Sequence, residues 1–143
     1  MLPPDQSLLL AVQSLLQTQH ADFIHDDAPC RLEDDRAPRQ RPMWIVQADA
    51  GTDRHPQLKS FTLTVEHRVT DEADLLLAGQ QIRAVYETLQ TEATFLTLRT
   101  AMAQDQVILQ FFRPGAPTSE SEGERGRSFS LPVLVEVWQV PQN

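Results

Sequence analysis

The chain has 143 residues, enough for one domain with a single modest core, and its 41% hydrophobic and 22% charged side chains exclude a disordered tail. Its net charge of -8 and its one lysine, Lys59, exclude a sequence-independent grip on nucleic acid, because phosphate binding needs clustered Lys and Arg. No apolar run approaches the roughly 20 residues that cross a bilayer, and MLPPDQSLLL lacks the basic flank of a signal peptide, so synthesis and use in a cytoplasm are expected.

Pro3 and Pro4 before Asp5 predict a helix entrance capped by Asp5 or Ser7. Leu8 or Leu9, Val12, and Leu15 or Leu16 repeat at helical spacing, and the helix ends near Gln19 or His20. Residues 21–41 hold charges, prolines and scattered apolar residues. They read as a connection with a short strand near Cys30 to Leu32. MWIVQA (Met43 to Ala48) is too short for a helix and rich in β-formers, hence a strand. Gly51, Asp53 and Pro56 then break any regular pattern.

The stretch Phe61 to Leu89 changes period without a break. Phe61, Leu63, Val65 and Val69 alternate with Thr62, Thr64, Glu66 and Arg68, as in a half-buried strand that pairs with MWIVQA as a hairpin. After a cap at Thr70 or Asp71, Leu75, Ala78, Ile82, Val85 or Tyr86, and Leu89 form one helical stripe. Thr94 to Met102 alternates weakly and is read as a strand, with a short helix as the alternative, and Val107 to Phe112 is a strand. Arg113 to Arg127 (RPGAPTSESEGERGR) offers no apolar face and is expected to be a mobile loop. Phe129, Leu131, Val133, Val135 and Val137 return to strict alternation, with Pro132 on the other phase suggesting an edge position or a bulge. The expected fold is a single α+β domain over residues 1–143: two helices on one face of a mostly antiparallel sheet, in the order α-β-β-α-β-β-β.

Side chains with chemistry are few. His20 and His25 with Asp22, Asp26 and Asp27 are metal-ligand types, but a spacing of five puts the histidines off a shared helical face, and no metal is expected. Cys30 is the one cysteine, and its acidic neighbours Asp26, Asp27, Glu33, Asp34 and Asp35 disfavour a thiolate. Glu66 and His67 fall on opposite strand faces and cannot act as a pair, His67 being on the core side or its border. The glycines at 51, 79, 115, 123 and 126 make no phosphate-cradling loop. No catalytic or cofactor-binding residue is therefore assigned. Arg36, Arg39, Arg41, Arg125 and Arg127 read as solvated charges or inter-subunit partners. Trp138 falls out of phase with Val135 and Val137, so one sheet face is covered by something other than the common core, either a subunit contact or plain edge packing.

FTLTVEHRV, DEADLLLAGQQIRAVYETL and ERGRSFSLPVLVEVWQV, after a short N-terminal helix, resemble in arrangement the tail terminator or tail completion proteins of long-tailed bacteriophages. The resemblance covers most of the chain and rests on topology and length, with the long Arg113 to Arg127 loop as a departure. It implies a non-catalytic virion protein without cofactor that forms a ring, six-fold in that family, at the head-proximal end of the tail tube. There the ring ends tube polymerisation and joins the head. The implied partners are other copies of the chain, the tail tube protein and a head-completion or neck protein. DNA passes through the lumen without specific binding, and no membrane is involved. Trp44, Trp138, Arg113, Arg125 and Arg127 are the expected interface residues. The competing reading is a small α+β binding module or enzyme of a cellular host, for which Glu66, His67 and Arg68 are the first candidates. A nucleic-acid-binding regulator is disfavoured by the charge.

Overall fold

The computed structural model describes residues 2–32, 42–49, 51–53, 55–70, 74–122 and 126–141. Among them it has three helices and a seven-stranded mixed sheet, an α+β fold. The elements in chain order are α1 (Pro4–Gln19), β1 (Cys30–Arg31), β2 (Met43–Ala48), β3 (Thr52–Asp53), β4 (Leu58–Thr70), α2 (Leu75–Leu89), α3 (Glu92–Ala103), β5 (Val107–Pro114), β6 (Thr118–Glu122) and β7 (Gly126–Gln139). The sheet runs β1-β2-β4-β7-β5, with β3 also on β4 and β6 also on β7. Among the described strands only the β1–β2 pair is parallel.

The register reduces the sheet to two long hairpins laid side by side. β2 and β3 both line one edge of β4, and β5 and β6 both line one edge of β7. β4 and β7 pair along their length, from Leu58↔Trp138 to Thr70↔Gly126. The break between β2 and β3 turns on Gly51, whose φ of +73° and whose 2.6 Å approach of a built Cβ to the Ser60 carbonyl both require glycine.

Pro132 lies in a central strand, contrary to the edge position expected for it. It sits opposite the Gly115 to Pro117 gap between β5 and β6, where the Gly115 N–H donates to the Pro132 carbonyl at 2.7 Å. A proline's missing donor costs little where the neighbouring strand is itself interrupted. The same register corrects the expected 113–127 loop, most of which continues the β7 edge as the end of β5 and as β6.

One phase of the strands forms the core: Trp44 and Val46 of β2, Phe61, Leu63 and Val65 of β4, and Leu131 to Val137 at odd positions of β7. Leu8, Val12 and Leu16 of α1, Ile82, Val85 and Leu89 of α2, and Leu98 and Met102 of α3 join that cluster. All three helices thus lie on one sheet face, where two were expected. Each such side chain contributes about 1.5–3 kcal/mol by leaving water.

The third helix is α3, in the segment read as a strand. Its buried residues Thr94, Leu98 and Met102 recur every four positions. The Thr91 hydroxyl oxygen accepts from the Thr94 N–H at 3.2 Å, and the Thr97 and Thr100 hydroxyls bond back to the Ala93 and Leu96 carbonyls at 2.9 Å. The threonines that lend the segment β-propensity thus serve the helix as cap and back-bonds.

Two caps also differ from expectation. At α1 no side chain among the described residues caps the helix. Instead, the Leu2 N–H and the Ser7 hydroxyl donate to the two oxygens of Asp105 at 3.1 and 2.8 Å, and these bonds hold that carboxyl below its ordinary range. At α2 the cap is Asp74, whose carboxylate accepts from the Leu76 and Leu77 N–H groups at 3.0 and 3.1 Å. Thr70 ends β4, and Asp71 lies outside the described residues. Asp74→Ala should cost about 1 kcal/mol, a lowered thermal midpoint without loss of the fold.

Candidate functional site

Alternation along β4 separates the three residues named for an enzyme site. His67 faces the helices. It is buried, stacked on Trp44 with ring centroids 3.9 Å apart, and donates from Nδ1 to the Met43 carbonyl at 3.3 Å. Burial pushes its pKa down to about 4, against the opposing hydrogen bonds to Met43 and Gln81. Glu66 and Arg68 point to the other face, where Arg68 Nε donates to Glu66 Oε2 at 2.7 Å. The three do not converge on one site.

Trp44, expected at an interface, is a core residue: it is fully buried, between Phe23 at 5.6 Å and His67. The register places it opposite His67 on the helix side. Its Nε1 finds no hydrogen-bond partner among the described residues. His20 stacks on Phe23 and shares a 2.9 Å hydrogen bond with the Thr88 hydroxyl, while His25 Nδ1 accepts from the Asp27 N–H at 3.1 Å. Among the described residues no three His, Cys, Asp or Glu side chains gather as metal ligands would. Cys30 is buried, and burial alone pushes its thiol up to about 12, a different cause from the acidic neighbours invoked above. The folded protein should therefore resist a thiol reagent at pH 8 and react once unfolded in urea. Labelling of the native chain at the unfolded rate would contradict this placement.

What distinguishes this molecule is the sheet face that the helices leave open. Trp138 lies on it, stacked against His55 at 5.6 Å, and so does Leu134, which is 57% exposed. β5 adds Ile108, then Phe111 and Arg113 opposite Glu136 and Leu134. A bulge between Leu109 and Phe111 shifts the phase of β5 by one residue, so Phe111 is turned outward and Phe112 inward. Neither the bulge nor the outward phenylalanine is visible in VILQFF. Along the β4–β7 pair the face forms a groove of about 550 Å³, with Phe111 and Leu134 beside the carboxylates Asp49 and Glu136. Leu134, Glu136 and Trp138 share one phase of β7, a signal that the sequence did carry.

The arginines expected at the interface do not form one patch. Arg113 is exposed on the open face, Arg127 pairs with Val69 on the core phase, and Arg125 lies outside the described residues. A second apolar surface, unforeseen in the sequence, lies on the opposite layer. Leu75, Leu76 and Leu77 are all exposed at the start of α2, Leu76 to 73%, although Leu75 was expected in the buried stripe. No helix among the described residues is long and apolar enough to cross a membrane. No family model matches the chain, and no curated protein is detectably similar to it.

Proposed function

We propose that this chain is a non-catalytic structural subunit of a long-tailed phage or prophage virion. In this reading it forms a ring at the head-proximal end of the tail tube, in the host cytoplasm during assembly, and stays in the tail or neck. The ring ends tube polymerisation and offers its far side to a head-completion or neck protein. The observation that carries the reading is apolar surface on both layers: Phe111, Leu134 and Trp138 on the open sheet face, and Leu75 to Leu77 on the helix layer. A monomer rarely leaves such surface uncovered, and two different patches on opposite sides suit head-to-tail contacts, which close into a ring when the rotation between subunits closes. The net charge of -8 suits a lumen through which DNA slides, since carboxylates repel phosphate.

The test is assembly with a purified tail tube protein, followed by electron microscopy and light scattering. The expected result is rings alone or at one tube end, and tubes of limited length. Tubes that grow unchanged, with this chain a strict monomer beside them, would refute the reading.

A cleft of about 390 Å³ between α2 and the segment after α1 favours the second reading, a binding module for a cationic ligand. His67 and Gln81 lie at its base, with Asp22, Asp27 and Asp74 around it. That reading requires ligand affinity that falls when Asp22 and Asp27 are neutralised.

A further inference from the structure

We infer that the two apolar surfaces are the two halves of one contact: the exposed stripe of α2 on one copy lies across the open sheet face of the next. This inference rests on the ring reading and names the surfaces through which the ring closes. α2 turns Ala78, Ile82, Val85 and Leu89 into its own core, so Leu76, Gln80, Arg83 and Glu87 form its outer stripe. Along that stripe the order is leucine (Leu76), then base (Arg83), then acid (Glu87), while the cap residue Asp74 lies about 200° round the helix from Leu76. Across the open face one row reads Arg113, Leu134, Thr62 and Asp49, because Arg113 pairs with Leu134, Leu134 with Thr62, and the Thr62 N–H bonds the Asp49 carboxylate at 3.0 Å. Its order is base, leucine, acid. The leucine and base of the stripe are complementary to the leucine and acid of the row.

The lengths agree as well. Leu76 to Arg83 spans seven residues, about 10 Å of helix. Leu134 to Asp49 spans two strand spacings, also about 10 Å. With Leu76 seated beside Leu134 and Phe111, Arg83 reaches Asp49. Arg83 is free to swing, since its ion pair with Glu87 is long at 3.7 Å and both partners are more than 60% exposed, at 69% and 65%. The contact is head to tail, because the helix stripe and the sheet groove lie on opposite layers of one subunit.

Cysteine cross-linking tests it. Leu76→Cys and Leu134→Cys are surface changes, and the buried Cys30 can stay. The double variant, oxidised alone and with tube protein, should give a ladder of linked species ending in a closed ring. An equal mixture of the two single variants should give dimers only, and the double variant should link at least about tenfold faster than either single variant alone. Strong linking by Leu134→Cys alone would replace the head-to-tail contact with a two-fold, face-to-face one and overturn the inference. If light scattering shows oligomers and no disulfide forms, the ring reading survives and this contact falls. A strict monomer with and without tube protein removes both.

Discussion

Leu63→Asp should unfold the subunit, while Thr64→Asp, one residue along β4, should leave it folded. Leu63 is fully buried, paired with Ala48 and Val133, and directed at the helix layer. A carboxylate there must lose its water or stay protonated, and the chain also loses the leucine's burial. The sum is several kcal/mol, comparable with the whole stability of about 5–15 kcal/mol of an ordinary domain. Thr64 faces the open side between Gln47 and Pro132. A change of less than about 1 kcal/mol is expected there. Circular dichroism melts of the two variants decide the matter. A folded Leu63→Asp protein, monomeric or not, would mean that β4 is not the centre of the subunit core.

The second large effect is acid lability centred on His67. Its folded pKa is depressed to about 4 from 6.5, so the unfolded chain takes up a proton first as pH falls. Above pH 6.5 neither state is protonated and the stability is intact. Below it the unfolded state gains about 1.4 kcal/mol per pH unit, until the folded protein also protonates near pH 4. The loss should reach about 3 kcal/mol. His20 is pushed down by burial, against Asp22, and adds to the trend in the same direction. Urea midpoints of the wild type and His67→Phe between pH 7 and 4.5 should separate this term from the carboxylates. The variant should lose most of the slope above pH 5. Parallel slopes would place the His67 proton elsewhere.

Much of this fold was legible because side-chain period and burial agree. In β4, β7, α1 and α2 one apolar phase meets one core, and the periodicity of Phe61 to Leu89 marks both the strand and the stripe of the helix behind it. The misreadings have physical causes. In α3, threonine's β-propensity masks a four-residue spacing that only the capping and back-bonding hydroxyls reveal. In β6, a polar segment without an apolar face is ordered by backbone pairing with β7, which composition does not record. The candidate surface was half legible. The phase of Trp138 announced an uncovered face, but Trp44 was assigned to an interface by residue type, and its register opposite His67 puts it inside. Phe111 was hidden by a bulge, which depends on pairing and not on sequence period.

The central β4–β7 pair also sets when the chain can fold. Residues 58–70 pair with residues 126–138, so the middle of the sheet joins segments far apart in sequence, and β7 is the last described element to be made. Such non-local pairing makes folding slow, because loop entropy must be spent before the contacts form. During synthesis β2, β4 and the helices emerge with their shared partner still inside the ribosome. Nucleation on the ribosome is therefore confined to local pieces, chiefly the β2–β4 hairpin and the capped helices. Premature termination before residue 126 leaves an apolar half-sheet with no native way to cover itself.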